Sequence, residues 1–158
     1  MEKQDLLKLF DKAYFFLKFR PRTEKELRKY LYRKILKTHW SQDDVDYVIQ
    51  DLKEQQLIND KEFVRWFVEQ RTILNPKSER LLKLELLRYG VEKPDIEQYF
   101  EQHTGNEEEA VERMLRRRWP RYRLLERHKR FEKAAAFLLR RGFSYETIKK
   151  AIEKVDNY

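Results

Sequence analysis

The chain has 158 residues and a net charge of +8; 41% of its residues are charged, 41% are apolar, and only three are glycine and four proline. This composition is typical of an α-helical protein and offers little of the turn chemistry that β-hairpins need. The absence of cysteine excludes disulfides, thiolate zinc sites and a cysteine nucleophile. No apolar run approaches the roughly 20 residues that span a bilayer, and the first residues lack the cleavage site of a secretory signal. We therefore expect a cytoplasmic protein that does not bind membranes.

Apolar residues recur at helical spacing in nine segments, which helix-start and helix-stop residues separate. The starts are Thr23, Ser41, Asn59, Ser78, Pro94, Asn106 and Ser144, and the stops are Pro21, Pro76, Gly90, Gly105, Pro120 and Gly142. The predicted inward residues of the first four segments are Leu6, Phe10, Ala13, Leu17, Leu27, Leu31, Ile35, Val45, Val48, Ile49, Leu52, Phe63, Phe67, Gln70 and Leu74. The sequence predicts a seventh helix that ends at Pro120 and an eighth from about Arg123 to Arg141. None of the segments predicts a strand.

The nine predicted helices form three sets of three, with a period near 50 residues. The first helix of each set has the same pattern. It contains two apolar residues four positions apart, and an arginine follows the second of them three positions later. These residues are Ala13, Leu17 and Arg20, then Val64, Val68 and Arg71, then Val111, Leu115 and Arg118. Such a period is typical of arrays in which each unit contacts its neighbours. We therefore predict an all-α fold of three tandem three-helix repeats, residues 1–58, 59–105 and 106–158, in an elongated array.

The sequence holds no constellation of catalytic, cofactor-binding or metal-binding residues. The three glycines form neither of the glycine-rich motifs that bind phosphate groups. His39, His103 and His128 are far apart and lack metal-type spacing. The three serines each stand where a helix cap is expected. We therefore expect a protein that is not an enzyme and that needs no cofactor or metal.

All of the excess positive charge lies in residues 113–133, which we call the basic segment. Its only acidic residues are Glu126 and Glu132, and the remaining 137 residues carry equal numbers of both signs. The ten basic residues are Arg113, Arg116, Arg117, Arg118, Arg121, Arg123, Arg127, Lys129, Arg130 and Lys133. A solvated helix face usually mixes both signs, so this excess favours an anionic partner, either nucleic acid or an acidic protein surface. Trp119, Tyr122 and Phe131 interleave with the arginines, a composition that binds phosphates and stacks on bases.

Within the basic segment we expect five apolar residues to be buried while the arginines stay exposed. The five are Met114, Leu115, Leu124, Leu125 and Phe131. Arg20 and Arg71 are secondary candidates for binding, although arginines at these positions would equally stabilise a helix C-terminus. Trp40, Trp66 and Trp119 are more typical of packing than of a ligand platform.

Several runs resemble the RecX regulatory proteins of bacteria. The run from Phe137 to Ile152, FLLRRGFSYETIKKAI, is similar to the closing signature of that family. The run RPRTEKEL at residues 20–27, together with Val45, Val48 and Ile49, resembles its first repeat. LINDKEFVRWFVEQR, at residues 57–71, is similar to its junction with the second repeat.

The resemblance implies a curved, three-repeat helical protein that binds the RecA recombinase. Members of the family generally restrain growth of the RecA filament and its ATPase and co-protease activities, and some also bind DNA. One departure is that the family often has a very basic segment after the second-repeat proline, whereas Pro76 is followed here by KSERL. We therefore expect a monomeric RecA regulator whose contacts with DNA or RecA depend on the basic segment. A stand-alone nucleic-acid-binding protein and a structural adaptor are the alternatives.

Overall fold

The computed structural model describes residues 3–157, and this part of the chain contains nine α-helices and no strand. The helices are α1 (Lys3–Leu17), α2 (Glu24–Ile35), α3 (Gln42–Glu54), α4 (Asp60–Leu74), α5 (Glu79–Arg88), α6 (Lys93–Gln102), α7 (Glu107–Tyr122), α8 (Arg127–Arg140) and α9 (Tyr145–Asp156). None of the described helices combines the length and the apolarity that crossing a membrane requires. The predicted all-α fold is confirmed.

The helices belong to two compact units. Unit 1 comprises the residues up to Gln70 together with Glu85–Tyr99, and unit 2 comprises Arg71–Leu84 and the residues from Phe100 onward. The division falls inside α4, α5 and α6, so each of these helices contributes residues to both units.

Capping side chains begin the helices where the sequence predicts starts. Thr23 and Ser41 form complete capping boxes with Glu26 and Asp44, in which each cap hydroxyl accepts a hydrogen bond from the N3 backbone and the N3 carboxylate accepts one from the cap backbone. Asn106 and Ser144 also accept hydrogen bonds from the third residue of their helices. Since these caps satisfy N–H groups that lack an intrahelical partner, the short polar runs fix where the helices begin.

Each unit has its own apolar core. The main cluster of unit 1 comprises Leu9, Ala13, Leu27, Leu31, Ile35, Val45, Val48, Ile49, Leu52 and Ile58. The main cluster of unit 2 comprises Val111, Leu115, Tyr122, Ala134, Ala135, Phe137, Leu138, Phe143, Ile148, Ala151, Ile152 and Val155. Most predicted inward positions are confirmed. The exceptions are Gln70 and Leu74 near the end of α4, which are exposed, with Leu74 at 74%; in α1 the most buried leucine is Leu9, which was not among the predicted inward residues.

A proline that the sequence predicts to end a helix lies inside one instead. α7 continues through Pro120 to Tyr122, and the backbone N–H of Arg123 still donates to the carbonyl of Trp119, at 2.9 Å. The predicted break at Pro120 is therefore wrong, and the chain leaves the helix between Tyr122 and Arg127. The fixed φ of proline is compatible with a helix, so Pro120 removes one backbone donor from α7 without ending the helix.

In unit 1, the start of α2 is fixed to the end of α5 through a buried hydroxyl. The Oγ1 of Thr23 accepts from the backbone N–H of Glu26 at 3.1 Å and donates to the carbonyl of Tyr89 at 2.6 Å. Thr23 is fully buried. Gly90 follows with φ of +88°, and its N–H and that of Val91 donate to carbonyls in the last turn of α5. The threonine therefore caps one helix and fixes the C-terminal turn of another.

Unit 2 repeats this arrangement with different residues. The backbone N–H of Ser78 donates to the carbonyl of Arg141 at 2.9 Å, and its Oγ accepts from the N–H of Leu81 at 3.1 Å. Gly142, which follows α8, has φ of +86°. A Cβ atom at this glycine would lie 2.5 Å from the Oγ of Ser78 and 2.8 Å from the Cβ of Leu81. Only glycine fits, because the backbone is left-handed and the start of α5 approaches too closely for a side chain.

We expect Gly142→Ala to lower the free energy of unfolding by about 2–4 kcal/mol, because the substitution adds left-handed strain and a steric overlap with Ser78. A urea titration followed by circular dichroism measures the change. Gly105→Ala is the matched control: no atom lies within 4 Å of a Cβ at Gly105, so the loss should stay below about 0.5 kcal/mol. Equal stability of the two variants would contradict the close approach at Gly142.

Replacing Thr23 by valine should lower the free energy of unfolding by about 2–3 kcal/mol. The new side chain has nearly the same shape but loses both the cap and the donor to Tyr89, leaving a buried carbonyl unpaired. Ser41→Ala removes an exposed cap and should cost only about 1 kcal/mol. The bridging role of Thr23 would be refuted if its substitution cost no more than that of Ser41 in the same urea titration.

Candidate binding surface

The basic segment lies entirely within unit 2. It contains the second half of α7, the turn at residues 123–126 and the first two turns of α8. Met114, Leu115, Leu125 and Phe131 pack against the core of the unit, as predicted, and Tyr122 belongs to that core. The segment is therefore part of a folded surface.

The ten basic side chains of the segment divide into exposed and half-buried groups. The exposed residues are Arg113, Arg116, Arg117, Arg121, Arg123, Arg127, Lys129 and Lys133. Arg118 and Arg130 are half-buried. The two half-buried arginines make contacts that stabilise the fold of unit 2.

Arg130 links the start of α8 to the end of α9. Its guanidinium lies 3.0 Å from a carboxylate oxygen of Asp156, and the two side chains are only 20% and 21% exposed. It also donates to the backbone carbonyl of Leu125 at 2.9 Å. A charge-assisted hydrogen bond to a carboxylate is stronger than a neutral one, and partial burial reduces its screening by salt. We therefore assign Arg130 a structural role.

Arg118 packs on an aromatic ring. Its guanidinium carbon lies 4.1 Å from the centre of the Phe137 ring, and that of Arg141 lies 4.7 Å from the same centre. Burial lowers the pKa of Arg141, and the neighbouring charges of Arg118 and Arg140 lower it further. Both guanidiniums are thus held by a cation–π contact with Phe137.

Seven exposed cations of the basic segment have no ion pair within the described part of the chain. Of the eight exposed residues, only Arg116 is paired, with its Nη2 2.9 Å from Glu112. The other seven are Arg113, Arg117, Arg121, Arg123, Arg127, Lys129 and Lys133. We call these seven residues the basic surface. Their charge is available to an anionic partner without first breaking a contact in unit 2.

The aromatic residues of the basic segment do not form a stacking platform. Tyr122 is 8% exposed, and Trp119 and Phe131 pack half-buried against the core of unit 2. Packing in unit 2 is therefore the role that the structure gives these rings, as the sequence favours for Trp119. Their interleaving with arginines reflects the two faces of α7 and α8, since buried positions recur every three or four residues along a helix and exposed positions lie between them.

Leu124 is also placed differently from the prediction. It was expected in the core, yet it is 87% exposed, more than any other large apolar side chain of the described residues. The prediction continued a helical spacing through a residue that lies in the turn between α7 and α8. Helical periodicity does not apply there, and the chain turns Leu125 inward instead.

The secondary candidate Arg20 lies in unit 1, where it makes internal contacts. Its Nη1 donates to Glu26 at 3.2 Å, and its guanidinium carbon lies 5.6 Å from the ring centre of Tyr89 and 6.0 Å from that of Trp66. The other secondary candidate, Arg71, is half-buried on α4.

The sequence analysis did not identify a group of lysines and aromatic residues on α1 and α2. The sequence signal for this group was that Phe15 and Phe19 fall outside the predicted inward positions; in the structure both are exposed and their rings are in contact.

The structure also locates the histidines and acidic residues that a metal would need. Within residues 3–157, no cluster of three or more histidine or carboxylate side chains has the geometry to hold a metal ion. His39 and His128 instead pair with Asp5 and Glu132.

We expect Arg130→Ala to lower the free energy of unfolding by about 1–3 kcal/mol, because it leaves Asp156 half-buried without its cation. Arg121→Ala, on an exposed residue of the same segment without an ion pair, should change it by less than about 0.5 kcal/mol. Urea titrations of both variants measure the difference. If both substitutions cost the same, the division of the segment into structural and exposed residues is wrong.

Two sequence models of one family match the chain. The first three-helix domain of RecX matches residues 10–52, and the third three-helix domain matches residues 106–152. In solved structures, the fold is similar to that of RecX from Lactobacillus salivarius, with a TM-score of 0.80 at 24% identity over 99% of this chain and 100% of that one. A second solved structure, of a regulatory protein RecX, gives a TM-score of 0.71 at 21% identity over 94% of this chain and 71% of that one.

Curated relatives agree with these matches. The regulatory protein RecX of Oceanobacillus iheyensis is 26% identical over 98% of this chain and 56% of its own length. That of Geobacillus thermodenitrificans is 29% identical over 89% of this chain and 51% of its own length. The chain thus spans about half the length of these two relatives. The two matched domains lie in unit 1 and unit 2 respectively, and together with the all-α fold they show that the chain belongs to the RecX family.

Proposed function

We propose that this chain is a regulatory protein that binds the RecA recombinase filament through the basic surface and restrains the filament's assembly, ATPase and co-protease activities. Membership of the RecX family and the name of its curated relatives, regulatory protein RecX, support the regulatory role. The proposed activity is one of binding in recombination, DNA repair and the SOS response, and it needs no catalytic residue or cofactor. It would take place in the bacterial cytoplasm.

The observation that carries this proposal is the basic surface. Seven exposed cations lie within 21 residues and have no described ion pair, whereas the rest of the chain balances its charges. Such a concentration of one sign attracts a polyanionic partner and raises its association rate at low salt. A RecA filament on DNA offers two partners of this kind, the phosphates of its DNA and acidic patches on its protein.

The basic surface is held in place before a partner arrives. The ion pair of Arg130 with Asp156 and the burial of Tyr122 fix both sides of the turn between α7 and α8. Because the backbone that carries the arginines is already ordered, binding costs less conformational entropy than it would for a disordered basic tail. The exposed side chain of Leu124 adds an apolar contact in the middle of the charges.

The second candidate function is nucleic-acid binding without RecA. The density of arginines in the basic surface favours it. With Trp119, Tyr122 and Phe131 packed into unit 2, contacts would go to phosphates and would be indifferent to sequence. Binding of this kind weakens steeply with salt, with a slope approaching −0.9 per phosphate neutralised on duplex DNA.

We further propose that the three-helix repeats fall at residues 1–58, 59–105 and 106–158. The two family matches, at 10–52 and 106–152, support the first and third of these boundaries. The third repeat would then carry the whole of the basic surface.

Replacing Arg117, Arg121, Arg123 and Arg127 by glutamate should abolish most of the effect on RecA. We expect the wild-type chain to lower the DNA-dependent ATPase rate of RecA at substoichiometric concentration, and the variant to need at least about tenfold more protein for the same effect. A titration of RecA ATPase on single-stranded DNA measures both. The matched control replaces the exposed Lys29, Lys61, Lys149 and Lys154 by glutamate, which changes the net charge equally and should leave the titration unchanged.

The same proteins distinguish the two candidate functions. A wild-type chain that leaves RecA ATPase unchanged but binds duplex DNA tightly in low salt would refute RecA regulation and favour the second candidate. An equal loss of effect in both charge variants would mean that only net charge matters, and it would refute the assignment to the basic surface.

A further inference from the structure

A groove on unit 1 lies between α1 and α2, outside the basic surface. Its volume is about 600 Å³, within the ~300–1,000 Å³ typical of ligand-binding clefts. Residues from α1, α2 and the segment that follows α2 line it. The six that matter for the argument are Lys8, Lys12, Phe15, Tyr30, Lys34 and Trp40. We call this feature the α1–α2 groove.

Both sides of the groove carry lysines. Lys8 and Lys12 are one helical turn apart on α1, and Lys34 lies on α2. None of the three has an ion pair among the described residues; Lys34 instead lies over the ring of Tyr30, with its Nζ 5.4 Å from the ring centre. Asp11 is the single acidic residue of the lining. The groove therefore has an excess of two positive charges, although unit 1 lies outside the segment that holds the net charge of the chain.

The lining of the groove is also aromatic, with Phe15, Tyr30 and Trp40. Tyr30 stacks on Phe16 with ring centres 4.1 Å apart and nearly parallel, which fixes its position. Phe15 is 59% exposed, and its ring meets that of Phe19 edge to face at 5.2 Å; Phe19 follows the end of α1, lies outside the lining and is 65% exposed. Exposed aromatic rings beside a concave surface mark binding sites more often than single exposed apolar residues do, because their burial stabilises a complex strongly.

We propose that the α1–α2 groove binds an acidic amphipathic segment of a partner protein. The apolar side chains of such a segment would cover Phe15 and Tyr30, and its carboxylates would pair with Lys8, Lys12 and Lys34. This site is separate from the basic surface and does not depend on the proposed RecA function.

Two features favour a peptide over a nucleic acid in this groove. Lysines on both helices of a groove that also contains Phe15 and Tyr30 match a segment with apolar and acidic side chains, such as an amphipathic helix lying in a groove. A nucleic-acid strand would place its phosphates in a single row, and lysine lacks the bidentate geometry with which arginine holds phosphate. The arginines of the chain's basic segment are absent from this lining.

The test uses a fluorescein-labelled helical peptide with glutamates on one face and leucine and phenylalanine on the other. We expect saturable binding to the full chain by fluorescence anisotropy, and an affinity at least about tenfold lower for K8E/K12E/K34E. Phe15→Ser, which leaves the charges unchanged, should also weaken binding at least about threefold. The charge-matched control K61E/K149E/K154E should bind as the wild type does. Circular dichroism verifies that each variant is folded.

Three results would overturn the proposal. One is the absence of saturable binding to the folded wild-type chain. Another is an equal loss of affinity in the groove variant and in the charge-matched control, which would indicate non-specific attraction. The last is tighter, lysine-dependent binding of an oligothymidylate strand than of the peptide, which would identify the groove as a nucleic-acid site. Because none of these measurements contains RecA, their failure leaves the proposed RecA function untouched.

Discussion

The fold depends on a buried hydroxyl-bearing residue that begins one helix and contacts the C-terminal turn of another. In unit 1 this residue is Thr23, which donates to the carbonyl of Tyr89, and in unit 2 it is Ser78, whose backbone donates to Arg141. Both turns continue into a glycine with positive φ, Gly90 or Gly142. Helix ends carry polar groups that must be satisfied when they are buried, so such contacts are specific as well as stabilising. Neither unit could pack these helix ends as closely with a larger or apolar residue.

Contacts within unit 2 also determine which positive charges of the basic segment stay exposed without an ion pair. Within the basic segment, Arg118 and Arg130 are held by Phe137 and Asp156, and Arg116 is neutralised by Glu112. Without these three residues, the basic surface contains seven of the ten basic residues that the sequence suggested for binding. Charges that stabilise unit 2 and charges that remain for a partner are neighbours along α7 and α8. A substitution in this segment is therefore informative only when its structural role is known.

Local rules in the sequence predicted the helix starts, the glycine turns and the location of the excess charge. Ser144 and Gly142 lie where their chemistry requires, because a cap or a left-handed turn depends on a few adjacent residues. Leu124 and Pro120 were misjudged, since the exact end of α7 depends on how α8 and α9 pack against it. The α1–α2 groove was missed for a related reason. Whether Phe15 is buried depends on which face of α1 meets α2 and α3, and the spacing of apolar residues on α1 allows more than one face.

If a RecA filament binds to the basic surface of unit 2, the binding should protect the backbone of this surface from exchange with solvent. Hydrogen–deuterium exchange of the chain, alone and with a RecA filament on single-stranded DNA, measures this protection. We expect slower exchange of backbone amides in residues 113–133 on addition of the filament, with α4 unchanged. Unaltered exchange throughout residues 113–133, with protection confined to other helices of a chain that has bound the filament, would contradict it.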